Sequence, residues 1–217
     1  MEKRVEKKPI LLLDMYGVII KESKGNFIPY TFAHFEKNEH ERLKKAFRQE
    51  NLFTKAGNGE LCSDKFLSLL GYTNPTETMQ DYLTNHLTFD EDFLQFAECN
   101  YQQYDFVLLS NDVKEWSSYL FALYGLHKYF RNTFVSGELH LRKPQPQIFL
   151  HTIEHMQCKP QECIFVDNSV QNLNAAQAVG INTVLFNRDR EPYSGNIVNT
   201  FQELDRFLKT SDLVQGT

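Results

Sequence analysis

The chain lacks a hydrophobic run long enough to cross a bilayer, an excess of positive charge, paired cysteines, and any repeat or low-complexity tract. Each absence excludes a class of protein. The clean apolar run nearest the start, Ile10 to Leu13, falls far short of the roughly 20 residues a membrane span requires, and no signal-peptide pattern precedes it. The expected location is cytoplasmic, with no membrane partner. Lys plus Arg number 23 against 28 Asp plus Glu, a net charge of −5, so nothing favours binding to a nucleic-acid backbone, and an anionic substrate would need local positive groups. Cys62, Cys99, Cys158 and Cys163 contain no Cys-x-x-Cys pair, which fits neither a disulfide framework nor a zinc knuckle. Reduced packing residues are the expectation.

What the chain does contain is ample apolar area: 41% of its 217 residues are hydrophobic and 13% aromatic, which excludes disorder and suits one large domain or a core carrying a smaller one. The first eight residues are charged and expected to fray. Ile10-Leu-Leu-Leu-Asp14 is a continuous apolar run that ends at a carboxylate, the profile of a buried parallel strand. Phe106-Val-Leu-Leu-Ser110 and Ile164-Phe-Val-Asp167 repeat it, and Thr133-Phe-Val-Ser136 and Thr183-Val-Leu-Phe186 read as two more strands. Helical spacing appears over about 113–124, 145–156 and 169–179, with Gly125 and Gly180 placed to stop the first and third. Strands alternating with helices predict an α/β fold with a doubly wound parallel sheet, whose ligands bind at the carboxyl ends of strands. The stretch 21–90 breaks the alternation and reads as helices over roughly 30–49, 63–71 and 75–87, so the expected division is a core of 9–20 and 91–217 carrying a helical cap of 21–90.

Four segments, in order, resemble the haloacid dehalogenase (HAD) superfamily. They are Leu11-Leu-Leu-Asp-Met-Tyr-Gly-Val18, Leu108-Leu-Ser-Asn111, Ser136-Gly-Glu-Leu-His-Leu-Arg-Lys-Pro144, and Ile164-Phe-Val-Asp-Asn-Ser169 with Asn172 and Ala175-Ala176 beyond. Gly59-Glu-Leu-Cys-Ser followed by Phe66 is similar to a segment that recurs in the small helical cap of that superfamily. The resemblance implies a Rossmann-like core and a hydrolase in which Asp14 is the nucleophile and forms a covalent aspartyl intermediate. It implies that Ser110 and Asn111 donate to a bound anionic oxygen and that Lys143 offsets the negative charge gathered there. For Mg²⁺ it implies Asp14, the main-chain carbonyl of Tyr16, Asp167 and Asn168 as ligands.

Two positions depart from the phosphatase pattern within that resemblance. Tyr16 replaces the Asp that usually protonates the leaving oxygen and later activates water; a phenol can donate a proton but is a poor base near neutrality. Asn168 replaces the usual coordinating Asp and removes one negative charge from the metal site. The resemblance therefore implies a Mg²⁺-dependent phosphatase of a small phosphorylated substrate, acting as a monomer or homodimer. The rival readings are a metal-free 2-haloacid dehalogenase-like hydrolase, and a catalytically weakened protein that keeps the fold to bind a ligand or partner. Tyr30 and Phe27 are candidate pocket-lining residues of the cap. His151-Thr-Ile-Glu-His155 spells a zinc-protease pattern on a predicted helix, but no third ligand accompanies it, and exposed helix histidines are the expectation.

Overall fold

The computed structural model describes residues 8–211, so residues 1–7 and the expectation of a frayed start lie outside the described residues. Six parallel strands, β1 (Ile10–Leu13), β2 (Asp105–Ser110), β3 (Phe130–Val135), β4 (Cys163–Asp167), β5 (Asn182–Phe186) and β6 (Asn196–Val198), form one sheet in the order β3-β2-β1-β4-β5-β6. The strand order reverses on either side of β1, the topological switch point at which a doubly wound sheet opens a crevice. The chain thus has the expected Rossmann-like α/β fold.

Alternation along β1 explains its burial. Leu11 and Leu13 join one apolar cluster, Ile10 and Leu12 the cluster on the opposite face, and both faces are covered, as a central parallel strand requires. Register does the rest. Leu13 pairs with Leu108 of β2 and with Val166 of β4, so Asp14 and Asp167, the next residues, and Ser110, two beyond Leu108, come together at the carboxyl ends of these central strands.

Helices α1 (Phe27–His34), α2 (His40–Arg48), α3 (Leu52–Gly57), α4 (Ser63–Leu70) and α5 (Pro75–Asn85) are inserted between β1 and β2, followed by α6 (Asp92–Asn100). The connections leaving and returning to the core run side by side: Lys21 N donates to Thr88 O at 2.8 Å and Asp90 N to Ile19 O at 2.9 Å. The single helix expected over 30–49 is broken at Phe35 and Glu36, both extended, with a 3₁₀ turn over Lys37–Glu39. No Gly or Pro marks that break. It is held by packing, since the Phe35 ring meets Tyr72 edge-on with centroids 4.9 Å apart and His40 Nε2 lies 3.0 Å from the Phe35 carbonyl. Pro29 sits in the first turn of α1, where a missing N–H costs no helical bond, so the helix begins earlier than expected.

The remaining helices are α7 (Lys114–Leu123), the short α8 (Ser136–Leu139), α9 (Pro146–Met156), α10 (Val170–Ala178) and α11 (Phe201–Thr210). Pro146 opens α9, Ser169 caps α10 by accepting from Asn172 N, and Thr200 caps α11 by accepting from Glu203 N. The third strand was expected to end at Ser136, which instead starts α8. Among the described residues, no helix is long and apolar enough to cross a membrane.

An aromatic cluster joins the inserted helices to the core. Phe27 lies 4.9 Å from Trp116 of α7 and 5.1 Å from Tyr82 of α5, centroid to centroid, and Trp116 Nε1 donates to Ser63 Oγ of α4 at 2.8 Å. Large aromatic rings buried edge to face supply both area and directional contacts here.

Candidate active site

A cavity of about 930 Å³ opens over the carboxyl ends of β1, β2 and β4 and is roofed by the inserted helices. Asp14, Tyr16, Asn111, Asp112, Lys143, Asn168 and Asn172 line it, with Phe53, Tyr82 and Trp116 as an aromatic wall.

Lys143 stands at its floor. Its Nζ lies 2.8 Å from Asp14 Oδ1 and 2.7 Å from Asp167 Oδ2, with Phe165 5.3 Å beneath, and its side chain is buried. Burial works against the ammonium, but the two carboxylates outweigh it and hold the lysine pKa above its usual value. Burial pushes the Asp14 carboxyl up to about 6; Lys143 opposes that rise and Asp167 adds to it. Asp14 Oδ1 also accepts from Met15 N at 2.8 Å, whereas no hydrogen bond from the described residues reaches Oδ2.

Asp167 is fully enclosed. Besides Lys143, it accepts from Ser169 N at 2.7 Å through Oδ1 and from Asn172 Nδ2 at 3.2 and 3.1 Å through both oxygens. Both of its oxygens are therefore occupied by protein donors, and it does not line the cavity. Asn168 does, and its amide rests against Gly17, where a Cβ would come within 2.3 Å of Nδ2. Gly17 has φ of +84°, so a side chain there is excluded by backbone and by neighbour alike.

Ser110 and Asn111 part company. The Ser110 hydroxyl is buried without a hydrogen-bond partner, a state that leaves a polar atom unsatisfied. The Asn111 amide, expected to face an anion, is spent on the main chain of Lys143: Nδ2 donates to the Lys143 carbonyl and Oδ1 accepts from its N–H, each at 2.8 Å. Close pairing with a peptide group uses one donor and one acceptor of the amide at once, which suits Asn better than a free anion would. Tyr16 directs its hydroxyl to Asp112 Oδ1 at 3.3 Å, and burial and that carboxylate raise the phenol pKa well above 10.

The profile of the haloacid dehalogenase-like hydrolases matches residues 9–180, the stretch that carries all of this arrangement. The chain belongs to that family of hydrolases. A glyceraldehyde 3-phosphate phosphatase from Methanopyrus kandleri is 32% identical over 108 residues, 48% of this hydrolase and 45% of the relative, so that match spans less than half of either protein. A D-ribitol-5-phosphate phosphatase from Bacteroides thetaiotaomicron is 27% identical over 184 residues, 80% of this chain and 89% of the relative. The structure of a HAD family enzyme from the same organism, in complex with magnesium and inorganic phosphate, superposes with a TM-score of 0.70 at 22% identity, over 87% of this chain and 98% of the other.

Three residues of this hydrolase escaped the sequence reading. Asp112 is buried at the cavity wall, where it accepts from Ser117 Oγ at 2.6 Å and Val113 N at 2.8 Å as well as from Tyr16. Burial lifts its pKa to about 7 against those three donors. Its position next to Asn111 is the only signal the sequence offers. Arg188 donates to the carbonyls of Gly17 at 3.2 Å and Val18 at 2.9 Å and pairs with Asp90, so it pins the turn that follows Asp14. Arg142 lines the cavity beside Lys143. By contrast, Phe27 is buried in the aromatic cluster and Tyr30 faces a separate cleft of about 320 Å³, so neither lines the cavity of Asp14. His151 and His155 lie on α9 with ring centroids 6.2 Å apart, and among the described residues no group of three or more His, Cys, Asp or Glu could hold a metal.

Proposed function

We propose that the chain is a phosphatase of small phosphomonoesters acting through Asp14. The observation that carries this reading is the shared ammonium of Lys143: it holds one oxygen of Asp14 and one of Asp167, and Asp14, which lines the cavity, keeps an Oδ2 with no hydrogen bond among the described residues. Oδ2 attacks phosphorus, the bond from phosphorus to the ester oxygen breaks, and an aspartyl phosphate forms; water then cleaves it and releases phosphate. Lys143 offsets the charge where a carboxylate and a phosphate converge. The Ser110 hydroxyl is unsatisfied but fully buried and does not line the cavity, so its expected contact with the anion is not part of this reading. Asn111 acts one step back, by fixing the main chain of Lys143. With a pKa well above 10 and its hydroxyl directed at Asp112, Tyr16 is a weak acid and a poor base, so turnover of esters with poor leaving groups is slow. The helices of 21–90 serve as a cap that closes the cavity and selects the substrate.

The cavity-lining residues that would hold Mg²⁺ offer hard oxygens, which suit it in kind: the Asp14 carboxylate, the main-chain carbonyl of Tyr16 and the Asn168 amide. Asp167 supports this set from behind, through Lys143, rather than as a ligand. When bound, Mg²⁺ supplies charge neutralisation of the phosphoryl oxygens. With one carboxylate and one neutral amide as its side-chain ligands, it would be held weakly.

One feature favours a second reading: Tyr16 and Asn168 both stand where phosphatases of this family carry carboxylates, which suits a metal-free dehalogenase that attacks carbon instead. A rate assay separates the two. Hydrolysis of p-nitrophenyl phosphate that depends on Mg²⁺, with none of 2-chloropropionate, is the expected result; release of chloride in EDTA with no phosphate release overturns it.

A further inference from the structure

We propose that Arg142 binds a second anionic group on the substrate, so that the enzyme favours phosphomonoesters that also carry a carboxylate or a second phosphate. This rests on the phosphatase reading above. Three observations lead to it, and the first is a charge without a counter-charge. Arg142 is partly buried, lines the same cavity as Asp14, and has no carboxylate within ion-pair distance among the described residues. Its one side-chain hydrogen bond there is a neutral one, from Nη1 to Asn58 Oδ1 at 2.9 Å. Asp189 and Glu191 also line the cavity, yet neither pairs with it.

Two other shielded cations around the site are compensated. Lys143 has Asp14 and Asp167, and Arg188 has Asp90 together with two carbonyls. Taking a guanidinium partly out of water without an anion is unfavourable, and burial accordingly lowers the pKa of Arg142. A ligand that brings the missing charge recovers that cost. The flat fork of a guanidinium suits the paired oxygens of a carboxylate or phosphate.

The third observation is the rigidity of the mount. Asn58, which holds Arg142, lies in a turn docked on the core: the Asn58 carbonyl is 2.8 Å from His140 Nδ1, and Ser136 Oγ donates to the Gly57 carbonyl at 2.5 Å. Gly59, with φ of +77°, passes so close to Gly137 that a Cβ would come within 2.4 Å of the Gly137 carbonyl oxygen. The guanidinium is thus preorganised between core and inserted helices, in a cavity with room beyond a single phosphate.

The test compares kcat/KM for 2-phosphoglycolate and fructose 1,6-bisphosphate with that for glycerol 3-phosphate, in the wild type, Arg142→Gln and Arg142→Lys. The wild type is expected to favour the doubly anionic esters by about tenfold or more, Arg142→Gln to bring the ratio to about one, and Arg142→Lys to fall between, as loss of a charge-assisted fork predicts. The carboxylate and bisphosphate arms tell which anion is preferred. A ratio near one in the wild type, or one unchanged in Arg142→Gln, overturns the proposal while the phosphatase reading stands. If no ester is hydrolysed, the phosphatase reading fails, and binding then judges Arg142 separately. The chain's single tryptophan, Trp116, lines the cavity and reports occupancy by fluorescence. A Kd for 2-phosphoglycolate about tenfold weaker in Arg142→Gln supports the anion site, and an equal Kd overturns it.

Discussion

Asn111 grips Lys143 by its peptide group: the side-chain amide donates to the lysine carbonyl and accepts from the lysine N–H, both at 2.8 Å. The ammonium that bridges Asp14 and Asp167 is therefore aimed by a residue 32 positions earlier in the chain. Asn111→Ala leaves a buried donor and acceptor unpaired, at a cost of about 1–3 kcal/mol. It is expected to lower kcat about tenfold or more with little change in KM, as a displaced catalytic group does. Steady-state kinetics and urea unfolding measure the two effects, and wild-type kcat in the variant would contradict the positioning role.

Asp14→Asn keeps an oxygen for the Met15 N–H and for Lys143 but cannot attack phosphorus. Hydrolysis should fall to background, a loss of about 10³-fold or more, with the circular-dichroism spectrum unchanged. Comparable activity in the purified variant removes Asp14 as nucleophile.

Removing the shared cation acts on stability as well as rate. In Lys143→Met, Asp14 and Asp167 face one another without compensation, and breaking a buried ion pair from one side costs about 3–5 kcal/mol. The carboxylates are then driven to take up a proton. The variant should therefore lose stability, relative to wild type, as pH rises from 5 to 8, seen as a widening gap in urea midpoints. Equal gaps at both pH values would show that the carboxylates do not depend on Lys143.

Asp112 makes a pH prediction of opposite use. Its folded pKa of about 7 lies above the ordinary carboxylate value of 3.8, so the folded protein keeps a proton that the unfolded chain has lost. Stability falls as pH rises from about 4 to about 7 and is level beyond. Asp112→Asn has no such proton to lose, and its stability relative to wild type should improve between pH 5 and pH 8 by on the order of 2 kcal/mol. Urea unfolding in EDTA at the two pH values tests this, and an unchanged difference rejects the buried-acid assignment.

Asn168→Asp restores a carboxylate at the cavity face of β4 and should lower the Mg²⁺ concentration for half-maximal activity several-fold. Without metal, the added charge near Asp14 should lower Tm. A Mg²⁺ titration and thermal melts with and without EDTA report both changes, and unchanged values in each would place Asn168 away from any metal.

How much of this was legible in the sequence follows from which interactions are local. The apolar runs before Asp14, Ser110 and Asp167 announced buried parallel strands, and the pairing of Leu13 with Leu108 and Val166 then brings those three ends together. The strands and the helices between them rest on patterning within single stretches, whereas the choice of Asp14 and Lys143 rests on the resemblance of four short motifs to the HAD superfamily. Contacts between stretches carry no such signature. The tertiary structure alone decided that Asn111 binds a backbone rather than facing an anion, that Asp167 is enclosed by Ser169, Asn172 and Lys143, and that Tyr16 meets Asp112. It also broke the helix at Phe35, where the ring of Tyr72 replaces the signal a glycine or proline would have left. Periodicity reports which face of an element is buried, because that face repeats along the chain; the partner that satisfies one polar group is set by packing between residues far apart in sequence, and only the folded molecule brings them together.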